Sequence, residues 1–168
     1  MTISMYAASV PVFQRQLGAL GNIFDKAAAH AAAKKTPEAN YLQTRLYPDM
    51  LPLVNQVRIA SDFAKGTPAL LAGVEAPKYE DNEASFADCK ARIDKTLAYV
   101  ATFEPGQIDG SAGKDIVRTI AGAPMTFKGG IYLAHFAMPN FYFHVAAAYN
   151  ILRHCGVEIG KRDFIGSL

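Results

Sequence analysis

The sequence predicts an all-α protein, a four-helix bundle with a small β-hairpin between the third and fourth helices. Apolar residues recur every three or four positions in four separate stretches, which is the pattern of amphipathic helices. One glycine-rich stretch, 107–130, departs from that pattern. The chain has 168 residues, of which 51% are hydrophobic and 19% are charged, a composition typical of a compact globular protein. We expect a single domain over residues 1–168.

The first helix is predicted over residues 2–33. Thr2 or Ser4 can cap it, and Pro11 is compatible either with the first turns or with a later start. The helix buries an apolar face formed by Val10, Phe13, Leu17, Leu20 and Phe24.

The second helix is predicted over roughly 48–65. Gly66 together with Pro68 is expected to end it, because neither residue favours a helix interior. Asp49 falls in the first turn of this predicted helix, where the helix dipole stabilises a carboxylate.

Two polar features of the second helix bear on function. Arg58 and Asp62 are four residues apart, which predicts an ion pair along the helix surface. Gln56 stands between Val54 and Val57 in the apolar stripe. It lies either at the edge of that stripe or within it, and in the second case its amide needs hydrogen-bond partners.

The stretch 67–86 is predicted to be mostly a connection, and its acidic run Glu80–Glu83 is expected to be solvated. Ser85 can cap a third helix near 84–103, and the sequence Glu104-Pro105-Gly106 ends it.

The fourth helix follows the predicted hairpin. Asp115–Ile120 and Met125–Phe127 flank a turn-forming stretch at 121–124, which indicates two short paired strands. The last helix then runs to Gly156, and Pro139 suits either a first helical position or a kink in it.

Composition excludes several classes of protein. The net charge of +2 comes from scattered lysines and arginines, so no basic stripe indicates nucleic-acid binding. No apolar run approaches the roughly 18–20 residues of a membrane span, and the first residues lack the positive region of a signal peptide. The two cysteines, Cys89 and Cys155, are expected to be buried free thiols. We expect a cytoplasmic protein.

Histidine is the residue type that offers chemistry, since no phosphate loop, HExxH, GxSxG or CxxC occurs. His144 lies in the most regular helical stretch, and Asn140 precedes it by one turn on the same face. Tyr142 lies nearby. A neutral imidazole at this position could bind a metal or act as a base. The alternative is a core histidine whose hydrogen bonds to Asn, Gln or Tyr are purely structural.

Four strings of this sequence resemble those of a known family. They are PDMLPL, QVRIASDFAKG, FAMPNFYFH and AYNILRHCGVEIGKRDF. The sequence is identified by them as a member of a bacterial family known as a domain of unknown function, number nineteen ninety-three. That family resembles a branch of the DinB/YfiT-like superfamily of proposed metalloenzymes. The resemblance covers nearly the whole chain and implies an up-down-down-up four-helix bundle.

The resemblance also implies a metal site that this sequence only partly retains. In DinB-like proteins one histidine from the second helix and a His-x-x-x-His pair from the last bind a divalent metal, with an open position for water or a thiol cofactor. Here His144 matches the second histidine of the pair, and Asn140 stands at the first. On the second helix Gln56 or Arg58 occupies the expected neighbourhood. His144 is therefore the one metal ligand that remains, and zinc or nickel is disfavoured because amides are poor ligands for these ions.

Three functions are compatible with the sequence. The first is a protein that binds a small, partly apolar ligand in a polar pocket between helices 2 and 4, with the family metal site degenerate. The second is a DinB-like metal-dependent enzyme of the thiol-cofactor transferase type. The third is a structural or interaction protein without a site, and a homodimer is expected by analogy with similar bundles. The residues expected to line the pocket are His144, Asn140, Gln56, Tyr142, Asp49 and Arg58.

Overall fold

A computed structural model of the protein describes residues 3–120 and 122–167. It is mostly helical, with one two-stranded antiparallel hairpin in that part of the chain. In its first half, helix α1 is followed by the short helix α2 and by two further long helices, α3 and α4. Their bounds are Val10–Lys34 for α1, Glu38–Leu42 for α2, Leu53–Ala72 for α3 and Phe86–Val100 for α4.

The second half contains the hairpin and the last long helix. The short helix α5 and a 3-10 turn lead into strands β1 and β2. A short helix α6 then continues through a wide π-helical segment into α7, and α8 lies near the end. The bounds are Pro105–Ile108 for α5, Ser111–Gly113 for the 3-10 turn, Asp115–Ile120 for β1, Ala123–Lys128 for β2, Gly129–Ile131 for α6, Tyr132–Ala137 for the π segment, Met138–His154 for α7 and Lys161–Ile165 for α8.

The long helices bury one continuous apolar core. Helix α1 packs on α7 and α4, and α3 packs on the same two helices. The α1–α7 contact includes the edge-to-face rings of Phe13 and Phe141, 4.8 Å between centroids, and the α1–α4 contact includes Phe24 and Phe86 at 5.6 Å. These ring pairs join α1 to α4 and α7, the same two helices that α3 contacts.

Helix α1 begins later than expected. Residues 5–9 form turns, and the helix begins at Val10, so the predicted start is wrong; Thr2 lies outside the described residues. Ser9 has non-helical backbone angles, and its hydroxyl donates to the backbone oxygen of Met5 at 2.6 Å. Pro11 then occupies the first turn, where its missing N–H leaves no hydrogen bond unmade. The later start that Pro11 allows is the one observed.

Both predicted ends of the second helix are wrong. Helix α3 begins at Leu53, because Leu51 precedes Pro52 and a residue before proline avoids the helical region. It continues past Gly66 and Pro68 to Ala72. Pro68 removes one backbone donor, but it is buried with its neighbours in the core, and packing outweighs local propensity. The helix ends at Gly73, whose φ of 77° suits glycine.

The third helix confirms its predicted cap. Asp88 N donates to Ser85 Oγ at 3.0 Å, and Ser85 N donates to Asp88 Oδ2 at 2.9 Å, which forms a capping box. Helix α4 ends at Val100, three residues before the predicted end.

The predicted hairpin is confirmed, and the last helix differs from the prediction in containing a π-helical segment. Strand β1 pairs antiparallel with β2, Asp115 opposite Lys128, and Gly122 in the connecting turn has a φ of 82°. Ala121, part of the predicted turn, lies outside the described residues. The last helix departs from α geometry over Tyr132–Ala137, just before Pro139, which itself lies in the first turn of α7. Over the described residues, none of the helices is long and apolar enough to cross a membrane.

Candidate functional site

His144 on α7 is joined to α3 by a hydrogen bond. Its Nδ1 lies 2.7 Å from the Oε1 of Gln56. The nitrogen of the same amide, Gln56 Nε2, donates to the backbone oxygen of Leu51 at 2.8 Å. Leu51, Gln56 and His144 therefore form one chain of hydrogen bonds that runs from the start of α3 to α7.

Gln56 is buried, with 1% of its surface exposed. The sequence allowed a position at the edge of the apolar stripe or within it, and the structure shows the second. A buried amide is costly without partners, and the two hydrogen bonds supply one partner to each end of this amide.

Aromatic rings surround His144. Phe63 lies nearly parallel to the imidazole, with 6.4 Å between ring centroids and 18° between planes, and Phe143 meets it edge-on at 5.2 Å. Phe136 lies 6.0 Å from Phe63. Burial lowers the pKa of His144 below its ordinary value, so the imidazole is neutral at pH 7. The site is thus a neutral, half-buried imidazole beside a row of aromatic rings.

Asn140 and Tyr142 lie on α7 in other roles. Asn140 Nδ2 donates to the backbone oxygen of Phe136 at 2.7 Å, inside the π segment. Tyr142 packs its ring against Phe141 at 5.6 Å. Because Tyr142 and His144 are two residues apart, their side chains leave the helix roughly 200° apart. The structure brings Gln56 to His144 but does not bring Tyr142 to the same face.

Asp49 and Arg58 also lie away from His144. Asp49 is exposed in the irregular segment before α3, so the prediction that it occupies a helical first turn is wrong. Arg58 lies on α3 but is directed at the segment before α4, where its Nε is 2.6 Å from Glu83 Oε2. The predicted Arg58–Asp62 pair is wrong, because Asp62 instead lies 2.9 Å from Lys65 Nζ on its own helix and 3.1 Å from Arg92 Nη2 on α4.

A second polar cluster, which we call the ionic cluster, lies between α3 and α4. It consists of Arg58, Asp62, Asp81, Glu83 and Arg92. The Nη1 of Arg92 is 2.8 Å from Glu83 Oε1 and 3.0 Å from Asp81 Oδ1. The side chains of Arg92 and Glu83 are only 3% and 6% exposed. The expectation that the acidic run is solvated is therefore wrong for Glu83.

The ionic cluster could have been found from one signal in the sequence. Arg92 falls on the buried stripe of α4, which also contains Cys89, Ile93 and Thr96 at three- and four-residue spacing. An arginine on a buried stripe requires a carboxylate nearby. Cys89, at the same stripe, is a buried free thiol whose pKa is raised by burial to about 12, so it is unreactive at neutral pH.

A polar cleft beside the ionic cluster has a volume of about 480 Å³. Glu83, Arg92 and Tyr79 line it, and the ring of Tyr79 is covered by Lys95 Nζ at 4.2 Å and by Lys65 Nζ at 4.9 Å. Three further clefts lie elsewhere on the described surface. These four clefts are lined by residues other than the six that the sequence predicted for a pocket.

Residues 5–165 match the model of a protein family described as "Domain of unknown function (DUF1993)". The chain belongs to the DUF1993 family. A crystal structure of a DinB family member protein from Shewanella denitrificans is similar to it, with 38% sequence identity and a TM-score of 0.91, over 97% of this chain and 92% of that one. No curated protein matches the chain significantly.

The positions that the DinB resemblance assigns to a metal do not suit one in this DUF1993 chain. They offer one imidazole and two amides, and amides are poor ligands for zinc or nickel. His144 Nδ1 is bound to Gln56, and Asn140 Nδ2 is bound to Phe136. Among residues 3–120 and 122–167, no group of three or more His, Cys, Asp and Glu side chains could hold a metal ion.

Proposed function

We propose that this DUF1993 protein binds a small, partly apolar ligand on the face between α3 and α7, with His144 as its polar contact. The observation that carries the proposal is the half-buried imidazole, which uses Nδ1 for Gln56 and lies beside the rings of Phe63 and Phe143. Rings and one placed polar group are the usual lining of a small-molecule site.

The proposal includes the finer fold expected from the sequence, one domain of the DinB/YfiT type with its long helices in up-down-down-up order. Pairs of contacting residues support this order. From α3 to α7 the pairs Gln56–His144 and Phe63–Phe136 run in opposite sequence directions, which indicates antiparallel helices.

From α1 to α7 the sequence directions agree. Phe13 meets Phe141, and His30 near the end of α1 lies beside Gly156, just after α7. Two outer helices that run parallel, with α3 antiparallel to the last, are what the up-down-down-up order requires. The homodimer remains a prediction, to be checked by the molar mass in solution.

A purely structural role is the second candidate. It is favoured by the hydrogen bonds from Leu51 through Gln56 to His144, which occupy both ends of the amide. Under this reading the face binds nothing, and His144 serves only to join α3 to α7.

The first experiment measures metal by mass spectrometry on tag-free protein, before and after incubation with zinc, nickel and manganese. We expect no stoichiometric metal. Near-stoichiometric metal that is lost in His144→Ala would overturn the proposal in favour of the DinB-like metal-dependent enzyme.

The second experiment screens a small-molecule library by NMR against the wild type, His144→Ala and His135→Ala. His135 is an exposed histidine of the same last helical segment and serves as the matched control. We expect compounds that perturb the wild type and His135→Ala but not His144→Ala. If every compound that binds does so equally in all three proteins, or if none binds, the structural role replaces the ligand role.

A further inference from the structure

The hydrogen bonds around Gln56 determine which way its amide faces. The backbone oxygen of Leu51 can only accept, so the group 2.8 Å from it must be the amide nitrogen of Gln56. The amide oxygen then faces His144 Nδ1 at 2.7 Å. An amide oxygen also only accepts, so the hydrogen in this contact belongs to Nδ1.

The parts that set this direction are held firmly. Gln56 is 1% exposed within α3. The carbonyl of Leu51 belongs to the peptide that joins it to Pro52, and a residue before proline is confined to extended backbone. The acceptor that orients the amide is therefore fixed by the start of the helix, not by a mobile side chain.

We infer that Gln56 is a positioning residue that holds His144 as the Nδ1–H tautomer, so that the site presents Nε2 as a hydrogen-bond acceptor and takes a neutral ligand that donates an O–H or N–H group. The ligand class rests on the proposed function. The tautomer does not, because it follows from hydrogen bonds within the protein alone.

The geometry disfavours other ligand classes at Nε2. The oxygens of an ionised carboxylate carry lone pairs and no hydrogen, so they would face the lone pair of the imidazole. Gln56 also lies on the nitrogen opposite to Nε2, the position of an orienting group and not of a second metal ligand. The nearby rings of Phe63 and Phe143 suit an apolar, preferably aromatic, body for the ligand.

The tautomer is tested by NMR on the ligand-free full chain with ¹⁵N-labelled histidine, from the protonation of each ring nitrogen at pH 7.5. We expect His144 to carry hydrogen on Nδ1 in the wild type and to lose that preference in Gln56→Met, which fills similar space with only a weakly accepting sulfur. Gln43→Met, at an exposed glutamine before α3, is the matched control and should behave as the wild type.

A wild-type spectrum with hydrogen on Nε2 alone overturns the inference, whether or not the variants fold. An unchanged tautomer in folded Gln56→Met overturns it as well, because the preference would then have another source.

The ligand class is tested with three probes of similar shape, phenol, benzoate and toluene, followed through the His144 Nε2 resonance. We expect phenol to bind about tenfold more tightly than the other two, the ratio that about 1.4 kcal/mol of hydrogen bonding gives. Tighter binding of benzoate overturns the ligand class. If the tautomer is as inferred and none of the three probes perturbs His144, the proposed ligand-binding function fails for aromatic donors while the role of Gln56 stands.

Discussion

Helix α3 makes polar contacts on two sides, and the two sides differ in kind. Toward α4 it contributes Arg58 and Asp62 to the ionic cluster, in which Arg92 and Glu83 are almost completely buried. Toward α7 it contributes Gln56, which makes a neutral hydrogen bond to His144. One side buries full charges and the other buries none.

The difference determines which side can carry a function. A buried charge must be paired, because burying an unpaired ion costs roughly several kcal/mol of free energy. The carboxylates and guanidinium groups of the ionic cluster are therefore committed to each other, and they hold the segment before α4 against both helices. A neutral imidazole tolerates an unused nitrogen at a half-buried position far better. The α7 side can thus leave an acceptor free for a ligand.

The largest expected effect is on the charged side. Arg92→Met removes one of the two guanidinium groups that pair with buried Glu83, the other being Arg58 at 2.6 Å, and is expected to lower the free energy of unfolding by about 3 kcal/mol. Urea denaturation measures this. Lys78→Met, at an exposed lysine of the same cleft, is the control and should change stability by no more than about 0.5 kcal/mol. Equal losses of stability in both variants would contradict the prediction, because pairing within the ionic cluster would then contribute no more than an exposed lysine does.

A smaller effect is expected on the neutral side. His144→Ala leaves the Oε1 of Gln56 without its donor, and we expect a loss of about 1–3 kcal/mol in the free energy of unfolding. His135→Ala is the exposed control. A loss in His144→Ala as large as that of Arg92→Met would break the contrast between the two sides.

The smallest effects are expected in the pH dependence of stability, because the two sides of α3 respond to pH in different ranges. Burial acts to raise the pKa of Glu83, but the hydrogen bonds from Arg92 and Arg58 outweigh it and hold that pKa below its usual range. A lowered carboxylate pKa stabilises the fold above the unfolded value of roughly 4.3, and this contribution is lost as the pH falls through the folded pKa.

His144 acts at higher pH. Its pKa is lowered by burial, so protonation favours unfolding as the pH falls below the unfolded value of roughly 6.5. Urea unfolding between pH 8 and pH 3 should show two declines. His144→Ala is expected to remove the upper one. Glu83→Gln is expected to reduce the lower one, to which Asp88 and Asp163 also contribute because hydrogen bonds lower the pKa of each carboxyl. If Glu83→Gln leaves the acidic decline unchanged, other carboxylates cause it.

The sequence predicts features whose cause lies in neighbouring residues. Ser85 and Asp88 form their capping box within one turn, and the hairpin follows from a local turn and its two flanking strands. The prediction of a helical protein likewise needs only the three- and four-residue spacing of apolar side chains. The DinB-like resemblance placed Gln56 and His144 at one site, and the two residues, 88 positions apart, do form a hydrogen bond.

The sequence was less informative where distant partners decide the outcome. The rule for residues four apart assigned Arg58 to Asp62, but the packing of α3 on α4 offers Glu83 to Arg58 and Arg92 to Asp62. Pro68 is a helix breaker by local rules, and its burial in the core outweighs that cost. In both places contacts with distant residues outweigh the preference that neighbouring residues set.

The π segment before Pro139 affects how the last helix presents its side chains. In an α-helix, residues four apart overshoot a full turn by roughly 40°, so a row at that spacing drifts around the axis. In a segment with i→i+5 hydrogen bonds a turn holds more than four residues, and the drift is reversed. Within the segment, the rings of Tyr132 and Phe136, four residues apart, lie 5.8 Å apart with 27° between their planes, and Phe136 in turn lies 6.0 Å from Phe63 on α3. The wide turn thus acts as a phase correction before α7 begins, and it sets the side of the last helix on which Phe136 meets α3.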